Sequence, residues 1–157
     1  MPDDLLERLR SRLADEGREA TFAHGLLAVQ IPREALLDTV KLLKDGFGFD
    51  LFLDVTAVDW PGRDPRFDVV YHLYSTRDHV RVRLKTAVSG TDPVVDTLVP
   101  LFGAAAYMER ECHDMLGIRF RGNDDLRPIL LYEGFEGHPL RKDYPKEREQ
   151  PLVRYRE

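Results

Sequence analysis

The run Glu109-Arg110-Glu111-Cys112-His113-Asp114 gathers carboxylates, a guanidinium, a thiol and an imidazole, enough variety for metal binding, acid–base catalysis or ionic locking. Metal binding needs ligands that converge on one ion, and neighbours such as Cys112 and His113 diverge by ~100° on a helix. Acid–base catalysis by His113 and Asp114 needs a nucleophile and an orienting group in the same cleft. The other histidines, His24, His72, His79 and His138, fall in turn, strand and tail contexts. No GxSxG, HExxH, Walker A or GxGxxG pattern occurs, and Gly46-Phe47-Gly48 is too short for a phosphate loop. No catalytic, cofactor-binding or metal-ligating residue is therefore expected on this chain. On a helix, Leu101, Ala105, Met108, Cys112 and Met115 form one apolar stripe, with Glu109 and Glu111 flanking it. Arg110 and Asp114 stand one turn apart, where an i,i+4 ion pair forms easily. Two readings remain: solvated charges on an amphipathic helix, or locking, in which Glu109, Arg110, Glu111 and Asp114 fix a junction with the following loop or with a partner.

A second charged row, His79, Arg81, Arg83 and Lys85, alternates with Val80, Val82 and Leu84. That alternation is a strand with one wet face, and Asp50 and Asp54 on a neighbouring strand offer cross-strand partners. Too few cations lie outside the row to extend a phosphate track, and the net charge of −5 argues against nucleic acid as a partner.

The elements that position these residues follow from periodicity. At 157 residues the chain suggests one domain with an appended tail. The apolar and charged shares, 43% and 32%, are those of a soluble globular protein, and no apolar run is long enough to span a membrane. The acidic start MPDDLLERLR does not read as a signal peptide, so a cytoplasmic chain is expected. The lone Cys112 excludes an intramolecular disulfide, a four-cysteine cluster site and a CxxC redox pair. Pro2 and the acids behind it open a helix carrying Leu5, Leu6, Leu9 and Leu13 at helical spacing, stopped by Gly17. Residues 18–31 read as a hairpin around His24-Gly25, and Pro32 opens a second helix with Leu36, Leu37, Val40 and Leu43 on one face. Strands follow over 49–58, 67–75 and 79–88; in the first, Phe49, Leu51, Leu53, Val55 and Ala57 are expected to share a face. A further helical stretch is expected from Asp92-Pro93 to Pro100, then the main helix from about Gly103 to Leu116. The order α-β-β-α-β-β-β-α gives an α+β fold: two layers, with helices on one face of a mixed sheet of about five strands.

Regular periodicity stops near Gly122. Residues 1–122 read as the domain and 123–157 as an extended tail. The tail carries Leu126-Arg127-Pro-Ile-Leu-Leu-Tyr132 and then Phe135-Glu-Gly137-His138-Pro139-Leu140-Arg141-Lys142-Asp143-Tyr144-Pro145. Pro and Gly keep it from becoming helical, and it lacks the apolar mass to fold alone. Its Leu, Tyr and Phe residues are the pattern of a strap laid along a partner.

These residues also resemble a known family: the small peripheral-arm subunit, or C subunit, of bacterial respiratory complex I, the NADH–quinone oxidoreductase. The signature Glu109-Arg110-Glu111 with Asp114 and Gly117-Ile118 behind it, the segment Asp125-Leu126-Arg127-Pro-Ile-Leu130, and the unbroken Glu136-Gly-His-Pro-Leu-Arg-Lys-Asp-Tyr-Pro145 carry the resemblance, with Arg66-Phe-Asp-Val-Val-Tyr-His-Leu73 upstream. The chain departs from the family at Asn123, where histidine is usual, at His113, where an aromatic is usual, and at Tyr107, where tryptophan is frequent. The resemblance implies a non-catalytic structural subunit of the hydrophilic arm that braces the large quinone-site subunit. Flavin mononucleotide and iron–sulfur clusters would sit in partner subunits, and the membrane would be reached only through the complex, on its cytoplasmic side. Leu126, Arg127 and Gly137 through Pro145 would then lie on the partner, and Arg141→Glu is expected to impair assembly more than it destabilises the chain. Membrane-bound hydrogenases, formate hydrogenlyases and deazaflavin-dependent dehydrogenases contain similar subunits, and an acid–base enzyme built on His113 and Asp114 is the rival of another class.

Overall fold

The computed structural model describes residues 2–150. The last stretch of the expected tail, 151–157, lies outside them. Helix α1 (Pro2–Asp15) buries Leu5, Leu6, Leu9 and Leu13 on one stripe. Strands β1 (Ala20–Ala23) and β2 (Leu26–Gln30) form the expected hairpin, turned by His24 and Gly25 with φ of 54° and 73°. Two consecutive positive φ values make the tight turn whose twist matches the strands. After Pro32 the second helix is less regular than its apolar spacing predicts. A 3-10 turn (Arg33–Ala35) leads into α2 (Leu36–Lys41), and a π-helical turn (Leu42–Gly46) ends it, with Leu36, Val40 and Leu43 fully buried.

Strands β3 (Leu51–Asp59), β4 (Phe67–Ser75) and β5 (Val80–Val88) complete a sheet of order β1-β2-β5-β4-β3, parallel between β2 and β5 and antiparallel elsewhere. The α+β class and the mixed five-stranded sheet match the sequence expectation. In β4 and β5 the expected inner residues, Phe67, Val69, Tyr71, Leu73, Val82 and Leu84, are fully buried. In β3 the expected face holds at Val55 but not at Leu51. The pairing with β4 slips between Phe52 and Asp54, and this bulge changes which parity faces inward. Phe52, Val55 and Asp59 are therefore the buried residues, while Leu51 is exposed.

The stretch after Asp92-Pro93 is the second correction. It is not helical: Val94–Asp96 form strand β6, which pairs in parallel with β7 (Arg119–Arg121) across α3 (Ala105–Leu116). Local turn chemistry at Pro93 suggests a helix start, but β-branched Val94 and Val95 find a strand partner beyond α3. The inward face of α3 carries Ala105, Glu109, Cys112 and Leu116, so Glu109 sits within the buried stripe rather than beside it.

Tyr71, on β4 under α3, is fully buried, and its hydroxyl has no hydrogen-bond partner among the described residues. Burial pushes its pKa well above the usual tyrosine value. An orphaned buried hydroxyl costs about 1–3 kcal/mol, so Tyr71→Phe should stabilise the fold by about 1 kcal/mol. A thermal melt should show a rise of roughly 2–4 °C; a fall would mean that the hydroxyl has a partner.

Candidate partner-binding surface

Helix α3 is the spine of the site, and its Glu109, Arg110 and Asp114 each engage a different stretch of chain. Glu109 is fully buried, and its carboxylate accepts the Thr97 hydroxyl at 2.6 Å, the Leu98 backbone N–H at 2.7 Å and the Asn123 amide at 2.9 Å. Burial raises its pKa, and the three donors pull it back only in part. Arg110 does not pair with Asp114. Its guanidinium donates to the carbonyls of Arg127 and Pro128, both at 3.0 Å, and approaches Asp125 at 3.8 Å. Asp114, also buried, turns Oδ2 to three successive backbone N–H groups, Ile129 at 3.1 Å, Leu130 at 2.9 Å and Leu131 at 2.9 Å. Burial works against its charge, yet the three amides outweigh that cost and hold the carboxyl below the usual aspartate range. The i,i+4 pair expected from spacing is thus replaced by two grips on the loop that follows. Glu111 is exposed and joins none of these contacts.

The end of α3 explains the second motif. A helix leaves its last carbonyls without intrahelical donors. Here Gly117, with φ 73°, caps the carbonyl of His113 at 2.7 Å. The next carbonyls are taken by the tail. His138 Nδ1 donates to Asp114 O at 2.9 Å, the Leu140 N–H to Met115 O at 3.0 Å, and Arg141 Nε to Leu116 O at 2.6 Å. A guanidinium at this end also suits the helix dipole. Gly-His-Pro-Leu-Arg therefore serves as a cap supplied from more than twenty residues downstream. A side chain at Gly117 would obstruct it: a Cβ there would lie 2.5 Å from Arg141 Nη2 and 2.6 Å from the His138 ring.

A buried ion pair anchors the far side of the cap. The Asp59 carboxylate receives Arg66 through two bonds, at 2.6 and 2.7 Å, and the Lys142 backbone N–H at 2.8 Å. Arg66 also reaches Asp143 at 2.8 Å. Asp59 and Asp143 are both held below the usual aspartate range, chiefly by Arg66. Arg66 and Arg141 lie over the Phe67 ring at 5.0 and 5.2 Å, and burial lowers the Arg141 pKa. Beyond Lys142 the tail closes on itself. Tyr144 stacks on Phe135, Gly137 passes close to the Tyr144 ring, and Gln150 bonds both the Glu136 backbone and the Tyr144 hydroxyl.

The structure thus brings Glu109, Arg110, Asp114, His138, Leu140, Arg141, Lys142 and Asp143 into one assembly and leaves Glu111 outside it. Arg127 takes part through its backbone, its side chain pairing with Asp125, and Leu126 packs against the core. Arg141 turns inward onto the end of α3, so Arg141→Glu would also uncap that helix. Asp59 and Thr97 carry no signal in the sequence that marks them for this assembly, and Arg66 and Asn123 stand out there only through the family resemblance. Their partners are remote, and the bulge that turns Asp59 inward has no local signature. The outward side chains of this stretch mix charged residues such as Arg127, Glu133 and Lys142 with large apolar ones: Ile129, Leu130 and Leu140 are 40%, 62% and 54% exposed, and Tyr132 is exposed as well.

The acid–base alternative gains no geometry. A cleft of about 310 Å³ is lined by His113, Asp114 and His138. Yet Asp114 is spent on three amides, and His113 Nδ1 bonds the carbonyl of Ile118 at 2.9 Å rather than a carboxylate. Among the described residues, no group of three or more His, Cys, Asp or Glu is placed to hold a metal ion.

The family model of the respiratory-chain NADH dehydrogenase 30 kDa subunit matches residues 29–150, which include all of the assembly just described. The chain belongs to this family. The C subunits of NADH-quinone oxidoreductase from Brucella abortus (strain 2308) and Brucella ovis are each 45% identical over 139 residues, covering 87% of this chain and 68% of theirs. Among solved structures, the trypsin-resistant fragment of Nqo5 superposes with a TM-score of 0.72 at 32% identity, over 78% of this chain and 99% of the fragment. A chain of an archaeal membrane-bound sulfane sulfur reductase shares the fold, with a TM-score of 0.79 at 24% identity over 92% of this chain and 86% of its own. As a member of the 30 kDa subunit family, the chain is a component of NADH–quinone oxidoreductase, a multi-subunit respiratory complex. No helix among the described residues is long and apolar enough to cross a membrane.

Proposed function

We propose that the chain is a non-catalytic structural subunit of the hydrophilic arm of proton-translocating NADH–quinone oxidoreductase, bracing the large quinone-site subunit on the cytoplasmic side of the membrane. Flavin mononucleotide and the iron–sulfur clusters belong to partner subunits, and electrons pass from NADH to quinone without touching this chain. The observation that carries the reading is the contrast within residues 123–150. Their backbone is gripped by Arg110, Asp114 and the α3 terminus, while Ile129, Leu130 and Leu140 are turned to solvent. A rigidly held apolar edge loses little entropy on docking. Leu126, Arg127 and residues 137–145 form the frame of that edge, and its outward side chains make the contact.

The equivalent subunit of a membrane-bound hydrogenase, formate hydrogenlyase or deazaflavin-dependent dehydrogenase would use the same edge. The identity to quinone-enzyme subunits favours the first placement, and co-purification of an NADH-binding flavin subunit separates the two. The edge itself is tested by Leu130→Glu with Leu140→Glu. Surface changes of this kind alter stability by about 0.5 kcal/mol or less, so the isolated chain should melt as before. Loss of apolar anchors weakens an interface by on the order of ten- to thirtyfold each, so assembled complex and NADH–quinone activity should fall sharply. Undiminished assembly would overturn the reading.

A further inference from the structure

The two-layer fold leaves one face of the five-stranded sheet uncovered, opposite α3 and its tail. Cross-strand register places Thr21, Ala28, Arg83, His72 and Asp54 in one row across this face, with Arg81 and Lys85 on either side of Arg83 along β5. Ala28, opposite Arg83, leaves a dip, and a cleft of about 830 Å³ runs here between Thr21, Gln30, Tyr74, Arg81, Arg83 and Lys85.

The charges on this face differ from those elsewhere. Most arginines among the described residues pair with a carboxylate, and Arg141 caps α3. Arg81 and Lys85 have no acidic partner among the described residues. Arg83 donates to a neutral atom, His72 Nε2 at 2.8 Å, and His72 in turn meets Asp54 through Nδ1 at 2.6 Å. Because a guanidinium can only donate, Nε2 must accept and Nδ1 must carry the proton to Asp54. Arg83 is thereby tied to His72 on β4, between the two unpaired cations along β5.

We propose that this face, along β5, docks an acidic helical segment of a partner polypeptide. A strand would add at a sheet edge, whereas an open sheet face is covered by a helix. Alternate residues on a strand stand about 6.6–6.8 Å apart. Residues four apart on a helix rise about 6 Å, so carboxylates one turn apart can meet Arg81, Arg83 and Lys85 in sequence. The row is too short for a nucleic-acid backbone track. The proposal rests on charge and register on this face and is independent of the apolar edge beside α3.

The test uses the full chain assembled in its native membranes, with a benzophenone amino acid in place of Gln30, which pairs with Lys85 on this face. Irradiation should give an adduct to another polypeptide, at a helical peptide with carboxylates one turn apart. Adding Arg81→Glu and Lys85→Glu should cut the adduct at least fivefold while the isolated variant melts as the parent does. If that variant melts lower, Arg81→Gln with Lys85→Gln takes its place and the same fivefold loss is expected. An adduct to lipid or nucleic acid, to a peptide without such carboxylates, one indifferent to charge removal, or no adduct at all would overturn the proposal.

Discussion

Gly117→Ala should lower the melting temperature of the isolated chain by roughly 6–12 °C and free the His138–Arg141 segment from the end of α3. Two costs combine. A non-glycine residue at φ 73° carries about 1–2 kcal/mol of backbone strain. The new methyl would also lie 2.5 Å from Arg141 Nη2 and 2.6 Å from the His138 ring, so both side chains must shift away from the helix end that they cap. Losing those hydrogen bonds costs about 1 kcal/mol each. A total near 3 kcal/mol corresponds to the stated shift at about 2–4 °C per kcal/mol for a chain of this size. A double-mutant cycle isolates the cause: in a chain already carrying His138→Ala and Arg141→Ala, Gly117→Ala should cost only its backbone strain. Strict additivity would mean that the cap and the glycine are unrelated. Arg141→Glu belongs to the same series. It places an anion at a helix C-terminus and should destabilise the chain itself.

Asp114→Ala should cost about 1.5–3 kcal/mol, because three backbone N–H groups lose their shared charged acceptor. The loss should be local before it is global. Hydrogen exchange at Ile129, Leu130 and Leu131 should rise far more than in β4 or β5. The carboxylate also makes a pH signature. Its pKa lies below the unfolded aspartate value, so its contribution is fully present above about pH 4 and is lost as pH falls through the lower folded value. Asp59, held low by Arg66, has the same sign, whereas Glu109, raised by burial, makes stability decline as pH rises through the carboxylate range. Asp114→Ala should therefore flatten the acid limb of the stability curve. An unchanged limb would show that the amides do not depend on the charge.

These effects mark where the sequence is readable and where it is not. Tyr71, Leu73, Val82 and Leu84 alternate with period two and are fully buried as expected, because regular pairing preserves parity. Parity fails in β3, where a one-residue bulge inverts the inward face. β6 is hidden because three residues carry little local preference, and its partner β7 lies beyond α3. Glu109 reads as lying beside the apolar stripe because a charge is normally solvated. Only the donors at Thr97, Leu98 and Asn123 make its burial tolerable, and those lie eleven to fourteen residues away. The tail motif is legible as a strap, but not as a helix cap, since its bonds to α3 and Asp59 span up to 83 residues.

The central claim is that the tail-framed edge of this chain rests on the quinone-site subunit. Lys142 and Lys146 stand exposed in that frame and report on it directly. Amine-reactive cross-linking of the complex in its native membranes, read by mass spectrometry, should join Lys142 and Lys146 to the large quinone-site subunit. If, in the assembled and active complex, both lysines join only their own chain or a different subunit, the brace lies elsewhere and the account is contradicted.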